Sequence, residues 1–95
     1  MKAVIYLMQD GGRFKIGCSV HPGRRVRELS WVKEAKAVLI HVMESDDPWY
    51  WEAALHCRLS EYALAHEWFR LPLRVVRWLK GKKNTNELSI QKALL

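Results

Sequence analysis

The sequence predicts an α+β fold: a small three-stranded, largely antiparallel sheet flanked by helices, in ββαβα order with a further C-terminal helix. Three observations carry this. Two runs of strand formers flank an Asp-Gly pair, a strong hairpin signal. Pro22, Pro48 and Pro72 each stand at the head of a segment with helical apolar spacing. A third apolar run, Ala35 to Met43, falls between the first two of those segments. The chain has 95 residues, 49% of them hydrophobic. That suffices for one domain with one modest core and is too apolar for a disordered segment. No repeat or internal boundary is visible, so residues 1–83 are read as the domain and 84–95 as a tail or short helix.

The first strand is Ala3 to Met8. If Asp10 and Gly11 form the loop, Gln9 pairs with Gly12 and Tyr6 falls opposite Lys15, on the same face. Phe14 and Ile16 then join Ile5 and Leu7 on the other face. Moving the turn by one residue would break this arrangement, because register sets which face each side chain occupies. Pro22 opens a helix with Val26, Leu29 and Val32 facing inward. Arg25 lies on the flank of that stripe, better placed to point along the sheet than Arg24 or Arg27. In the third strand Val38, Ile40 and Val42 share one face, and Leu39 and His41 the other. Asp46-Asp47-Pro48 is an N-cap and first-turn signature. The helix it opens buries Trp51, Ala54, Leu55, Leu59 and Tyr62, and Glu52 and His56, four residues apart, share a face beside that stripe. His66 to Arg70 reads as a short extended segment. The last helix, from Pro72 to Gly81, buries Leu73, Val76 and Leu79 and exposes Arg74, Arg77 and Lys80.

A net charge of +6 favours a polyanionic partner, and its distribution is more telling. Arg13, Lys15, Arg24, Arg25, Arg27, Lys33 and Lys36 crowd the first third, and Arg70, Arg74, Arg77, Lys80, Lys82 and Lys83 the last. The acids Glu44, Asp46, Asp47, Glu52, Glu61 and Glu67 gather between them. Two basic flanks around an acidic middle suit a nucleic-acid surface with a metal or catalytic centre; solvated helix faces give the same charge pattern. The five tryptophans are read mainly as core, with Trp49 and Trp78 the candidates for a partner surface. Cys18 and Cys57 have no zinc spacing and make no disulfide framework. They are read as free thiols in a reducing compartment. Neither a signal peptide nor an apolar run of membrane-spanning length is apparent, so a cytoplasmic location with no membrane partner is expected.

The segments VIYLMQDGGRFKIGCSVHPGRRVREL and WEAALHCRLSEYALAHEWFRL resemble the GIY-YIG nuclease superfamily, in particular its phage and bacterial T5orf172/MUG113-type branch. That branch has a Tyr-ended first strand, a KIG second strand, a helix with an arginine after a proline, an ExxxH helix and a terminal EWF. All five stand here in order, across most of Val4 to Leu71. By position, Val4-Ile5-Tyr6 matches the first motif strand and Lys15-Ile16-Gly17 the second. Arg25 matches the family arginine and Glu52 the metal-binding carboxylate. Glu67 stands where many members have asparagine. The resemblance implies hydrolysis of DNA phosphodiesters with Mg²⁺ or Mn²⁺. Two positions depart from the broad pattern: Val4 replaces a glycine, and Lys15 replaces the second tyrosine.

Such chemistry requires a base near water, charge stabilisation on phosphate, and a metal or acid at the leaving oxygen. Glu52 would hold the cation and Arg25 would clamp phosphate through its planar fork. Tyr6 would position or deprotonate water, or contact phosphate. Lys15 is a phosphate contact, or a base if its surroundings lower its pKa; His56 is the other candidate base. Glu67 is a second carboxylate at the metal or a structural hydrogen-bonding group. Arg13, Arg24, Arg27, Arg74, Arg77 and Lys80 are candidates for contacting the nucleic-acid backbone. Each has an ordinary alternative: a core aromatic for Tyr6, a solvated strand residue for Lys15, a surface cation for Arg25, a first-turn acid for Glu52. At the level of function the alternatives are a catalytically silent nucleic-acid-binding module and an adaptor. The adaptor would dock a protein or a second copy through its tryptophans and C-terminal helix. His21, His41 and His66 lack metal spacing and are not read as ligands.

Overall fold

A computed structural model describes residues 2–33 and 36–88. The Val32 side chain, the assignment of Ala35 and residues 89–95 lie outside what is described. The elements are β1 (Val4–Asp10), β2 (Arg13–Ser19), α1 (Pro22–Lys33), β3 (Val38–Glu44), α2 (Pro48–Arg58), a 3-10 turn (Ser60–Tyr62), β4 (Trp68–Phe69) and α3 (Leu73–Lys80). The sheet is antiparallel in the order β3-β1-β2-β4. It is therefore the predicted α+β class with four strands, the fourth being two residues long. Among the described residues no helix is long and apolar enough to cross a membrane.

The hairpin turns on Gly11-Gly12, not Asp10-Gly11. Asp10 pairs with Arg13 and its carboxylate accepts from the Arg13 guanidinium at 2.9 Å. Gly11 supplies the left-handed backbone, with φ of 59°, at little steric cost. Moving the loop by one residue shifts the pairing by two, so Tyr6 stands opposite Gly17 and Met8 opposite Lys15. A shift of two preserves the alternation of faces. The register differs from the one predicted, yet the separation of Tyr6 and Lys15 from Ile5, Leu7, Phe14 and Ile16 survives.

Each face of the sheet has its own core. Ile5, Leu7, Phe14, Ile16, Met43 and Phe69 pack with Leu55 and Leu59 from α2 and with Val75, Val76 and Leu79 from α3. On the opposite face Tyr6, Met8 and Ala37 pack with Leu39 and with Val26 and Leu29 of α1. The result is three layers with the sheet in the middle.

Three further predictions are corrected. In β3 the partner of β1 jumps from His41 (at Leu7) to Leu39 (at Met8). This bulge at Ile40 breaks strict alternation, so Val38, Ile40 and Val42 do not share one face. Val38 and Val42 are exposed, while Leu39 packs on the α1 side and Met43 in the main core. Leu73 is 62% exposed, because the inward stripe of α3 runs through Val75, Val76 and Leu79. His66 and Glu67 are not extended: both have left-handed backbone, φ 59° and 68°.

The Asp47 cap is as predicted, its side chain accepting from the Tyr50 backbone N–H. Beyond α3 the chain returns to the body. The Glu44 N–H donates to the Lys83 carbonyl at 2.9 Å, Thr85 donates to Ser45 in a buried hydrogen bond, and Leu88 is fully buried in the main core. His41 is engaged structurally, its Nε2 on the Lys82 carbonyl.

Candidate active site

The site grows out of an edge that β4 leaves uncovered. β4 pairs only with Phe14 and Lys15, so the outer side of β2 from Ile16 to Ser19 has no strand partner among the described residues. α2 reaches this edge from one layer and α1 from the other. His56 of α2 donates from Nε2 to the Ile16 carbonyl at 2.7 Å, and its ring stands edge-on to Phe69 with centroids 5.0 Å apart. A carbonyl only accepts, so Nε2 carries a proton, and the tautomer of a neutral ring has Nδ1 as its acceptor.

Tyr6 lies on the α1 side, 3% exposed, directly across from Gly17. A Cβ at position 17 would stand 2.9 Å from Tyr6 Cε2 and closer still to Cζ and the hydroxyl. The phenol thus lies over the one residue of β2 that has no side chain. This explains why the Lys-Ile-Gly motif ends in glycine: the glycine makes room for the tyrosine.

Burial pushes the Tyr6 phenol above its ordinary value. Arg25 opposes the shift by approaching the phenol as a hydrogen-bond donor and by its charge, while Glu67 and Glu52 add to it. The Tyr6 hydroxyl thus feels one guanidinium and two carboxylates. Cys18, on the same edge, is also pushed up, by burial first and then by Glu52. Glu52 is half-buried on α2, and its charge acts on both Tyr6 and Cys18.

The direction of the Tyr6 shift has a measurable consequence. The folded phenol keeps its proton to higher pH than the unfolded chain's, so its contribution to stability is complete below about pH 10 and is lost as pH rises through the folded value. Alkaline unfolding curves of wild type and Tyr6→Phe should diverge in that window. Difference spectra between the two should show Tyr6 ionising above the ordinary range, higher still in Arg25→Ala and lower in Glu67→Gln.

Lys15, Arg25 and Glu67 line a single groove of about 510 Å³ with Arg13, Leu29 and Trp68 among its walls. Lys15 is 6% exposed, and its ammonium donates to the His66 carbonyl at 3.1 Å. The Arg13 guanidinium lies 4.0 Å over the centroid of the Trp68 ring.

The other predicted basic residues stand apart from this groove. Arg24 and Arg27 line a shallow hollow at the start of α1, where Arg24 pairs with Glu28 at 3.1 Å. Arg74, Arg77 and Lys80 are exposed on α3, with Arg74 donating to the Tyr62 hydroxyl at 3.0 Å. Trp49 is 65% exposed and Trp68 is buried; Trp78 packs half-buried on the main core.

Sequence reasoning missed the steric role of Gly17, the Arg13–Trp68 stack and the left-handed turn at His66-Glu67. Only the first left a signal, a strand glycine, which marks close approach. For a metal, no group of three His, Cys, Asp or Glu among the described residues forms a ready cage. Glu52 fits the sparser arrangement in which one carboxylate holds a hard cation and waters and phosphate oxygens complete the shell.

No curated protein and no solved structure matches the chain. The family model of the T5orf172 domain matches residues 3–81. The match spans both strands of the hairpin, the uncovered β2 edge and every residue gathered around Tyr6, and the chain belongs to the T5orf172 domain family.

Proposed function

We propose that this domain is a GIY-YIG-type endonuclease that hydrolyses DNA phosphodiester bonds with Mg²⁺ or Mn²⁺. The observation that carries the reading is the groove that Arg25 from α1, Lys15 from β2 and Glu67 from the turn before β4 line together, with the charges of Arg25, Glu67 and Glu52 all acting on the buried Tyr6 phenol. A buried core tyrosine needs no such company. A hydrolytic phosphate site needs a cation, a proton-handling group and carboxylates together.

Each residue has a task. Arg25 binds a non-bridging phosphate oxygen and stabilises the charge that builds there as water attacks phosphorus and the bond to the leaving sugar oxygen breaks. Tyr6, a phenol already protonated near neutral pH and pushed further up by burial, acts as a hydrogen-bonding group that orients water or phosphate. His56, with Nε2 held on the Ile16 carbonyl, has Nδ1 available to take a proton from water. Glu52 would hold the cation, and Glu67 would be the candidate second oxygen donor. When bound, the cation supplies Lewis-acid polarisation of the phosphate. Arg24, Arg27, Arg74, Arg77 and Lys80 contact the backbone away from the cut, and their contribution falls as salt rises.

A plasmid-nicking assay with Mg²⁺, Mn²⁺ or EDTA tests this. Nicking should need metal and be lost in Arg25→Ala and Glu52→Ala with DNA binding retained. If the wild type binds DNA and never cuts, the domain is a silent binding module on the same scaffold. If both variants cut normally, the active site lies elsewhere.

A further inference from the structure

We propose that the Arg13–Trp68 stack is a platform for one unpaired nucleobase, so that the preferred substrate carries an unpaired nucleotide beside the phosphate held at Arg25. This rests on the nucleic-acid reading of the site and adds its substrate class. Sequence alone would make Arg13 a phosphate contact; its setting says otherwise. One edge of the guanidinium is held by the Asp10 carboxylate at 2.9 Å, which offsets its charge. One face lies on the Trp68 ring at 4.0 Å. The side chain is still 43% exposed and lines the groove. A guanidinium with its charge partnered and its plane fixed is poor at capturing phosphate and well suited to stacking, since bases splayed out of a helix stack on aromatic rings and on arginine planes. Trp68 itself is buried, so it stiffens the platform from beneath.

The groove supports the same occupant. Its volume of about 510 Å³ lies in the range of small-ligand sites and suits a single nucleotide. Leu29 and Leu64 offer apolar walls for the faces and edges of a base, and Arg25 shares the groove to take the adjoining phosphate. Leu64 is 41% exposed, an apolar side chain at the rim that a base would cover.

Binding in EDTA separates stacking from chemistry. Three probes share one sequence: a full duplex, the duplex with a short single-stranded branch, and the same branch with an abasic residue at the junction. Wild type should hold the branch about tenfold tighter than its abasic form, the scale of one base stack. Arg13→Ala should erase that ratio. Arg13→Lys should erase it too while keeping the charge opposite Asp10, which controls for folding. Arg24→Ala should weaken all three probes alike. Equal affinity for the base and abasic branches, or an equal loss on all probes in Arg13→Ala, overturns the platform. If the wild type binds none of the probes at low salt, the nucleic-acid reading itself fails, and the platform with it.

Discussion

Replacing Gly17 by alanine should destabilise the domain by about 1–3 kcal/mol, the usual range for forcing an extra carbon into a packed site. The new Cβ would stand 2.9 Å from Tyr6 Cε2 and nearer to the rest of the phenol. Had the obstructing atoms been a flexible chain end, they would simply swing aside. Here they belong to a rigid ring 3% exposed, enclosed by Met8, Ala37, Val26 and Leu29. Relief requires moving the whole ring toward α1 or opening the β1–β2 pair where Tyr6 and Gly17 face each other. For a domain of this size the melting temperature should fall by roughly 5–20 °C. A double-mutant cycle identifies the cause. Tyr6→Ala is destabilising alone because it leaves a cavity, but in that background Gly17→Ala should cost almost nothing. An equal penalty in both backgrounds would mean that the glycine serves the backbone, not the tyrosine. Because any relief displaces the hydroxyl from Arg25, nicking should also fall by on the order of 10²–10³, as when a single electrostatic group is lost from a hydrolytic site.

That coupling also shows how much the sequence could disclose. Its alternation placed Tyr6 and Lys15 on one face and Ile5, Leu7, Phe14 and Ile16 on the other, and the structure agrees although the loop is shifted. Face assignment depends on parity, and a hairpin loop that slides by one residue changes the pairing by two. The register itself was less legible, because Asp10-Gly11 and Gly11-Gly12 are both good turns. In the Gly11-Gly12 loop Asp10 pairs with Arg13 across the turn, a local side-chain contact that backbone turn propensity does not contain. The bulge at Ile40 was invisible for a related reason: an apolar run fits either face until a partner strand and α1 compete for it. The segment at His66-Glu67 misled most. Two ordinary side chains in left-handed backbone carry little sequence signal, since local propensity opposes that conformation and the side chain that reaches this turn comes from a distant strand.

That side chain is Lys15, and its removal is the second large effect. Lys15→Met keeps length and apolar bulk but deletes the ammonium that donates to the His66 carbonyl at 3.1 Å. A hydrogen bond from a charged donor contributes about 1.5–3 kcal/mol. Consecutive left-handed residues are each unfavourable by about 1–3 kcal/mol and persist only where surrounding contacts hold them. His66 and Glu67, φ 59° and 68°, are therefore the segment that should relax once the donor is gone. Amide exchange should quicken first at Leu64 and Trp68, whose backbone groups close the same turn. Glu67 would then lose its place in the groove beside Arg25. Glycine adopts left-handed backbone without penalty, so His66→Gly should recover part of the stability lost in Lys15→Met and slow that exchange. If His66→Gly recovers nothing, Lys15 is not what holds the turn. If Lys15→Met leaves exchange at 64–68 unchanged yet abolishes nicking, Lys15 acts directly on phosphate. The lysine that replaces the second motif tyrosine thus has a role readable in exchange rates, separately from any assay of cleavage.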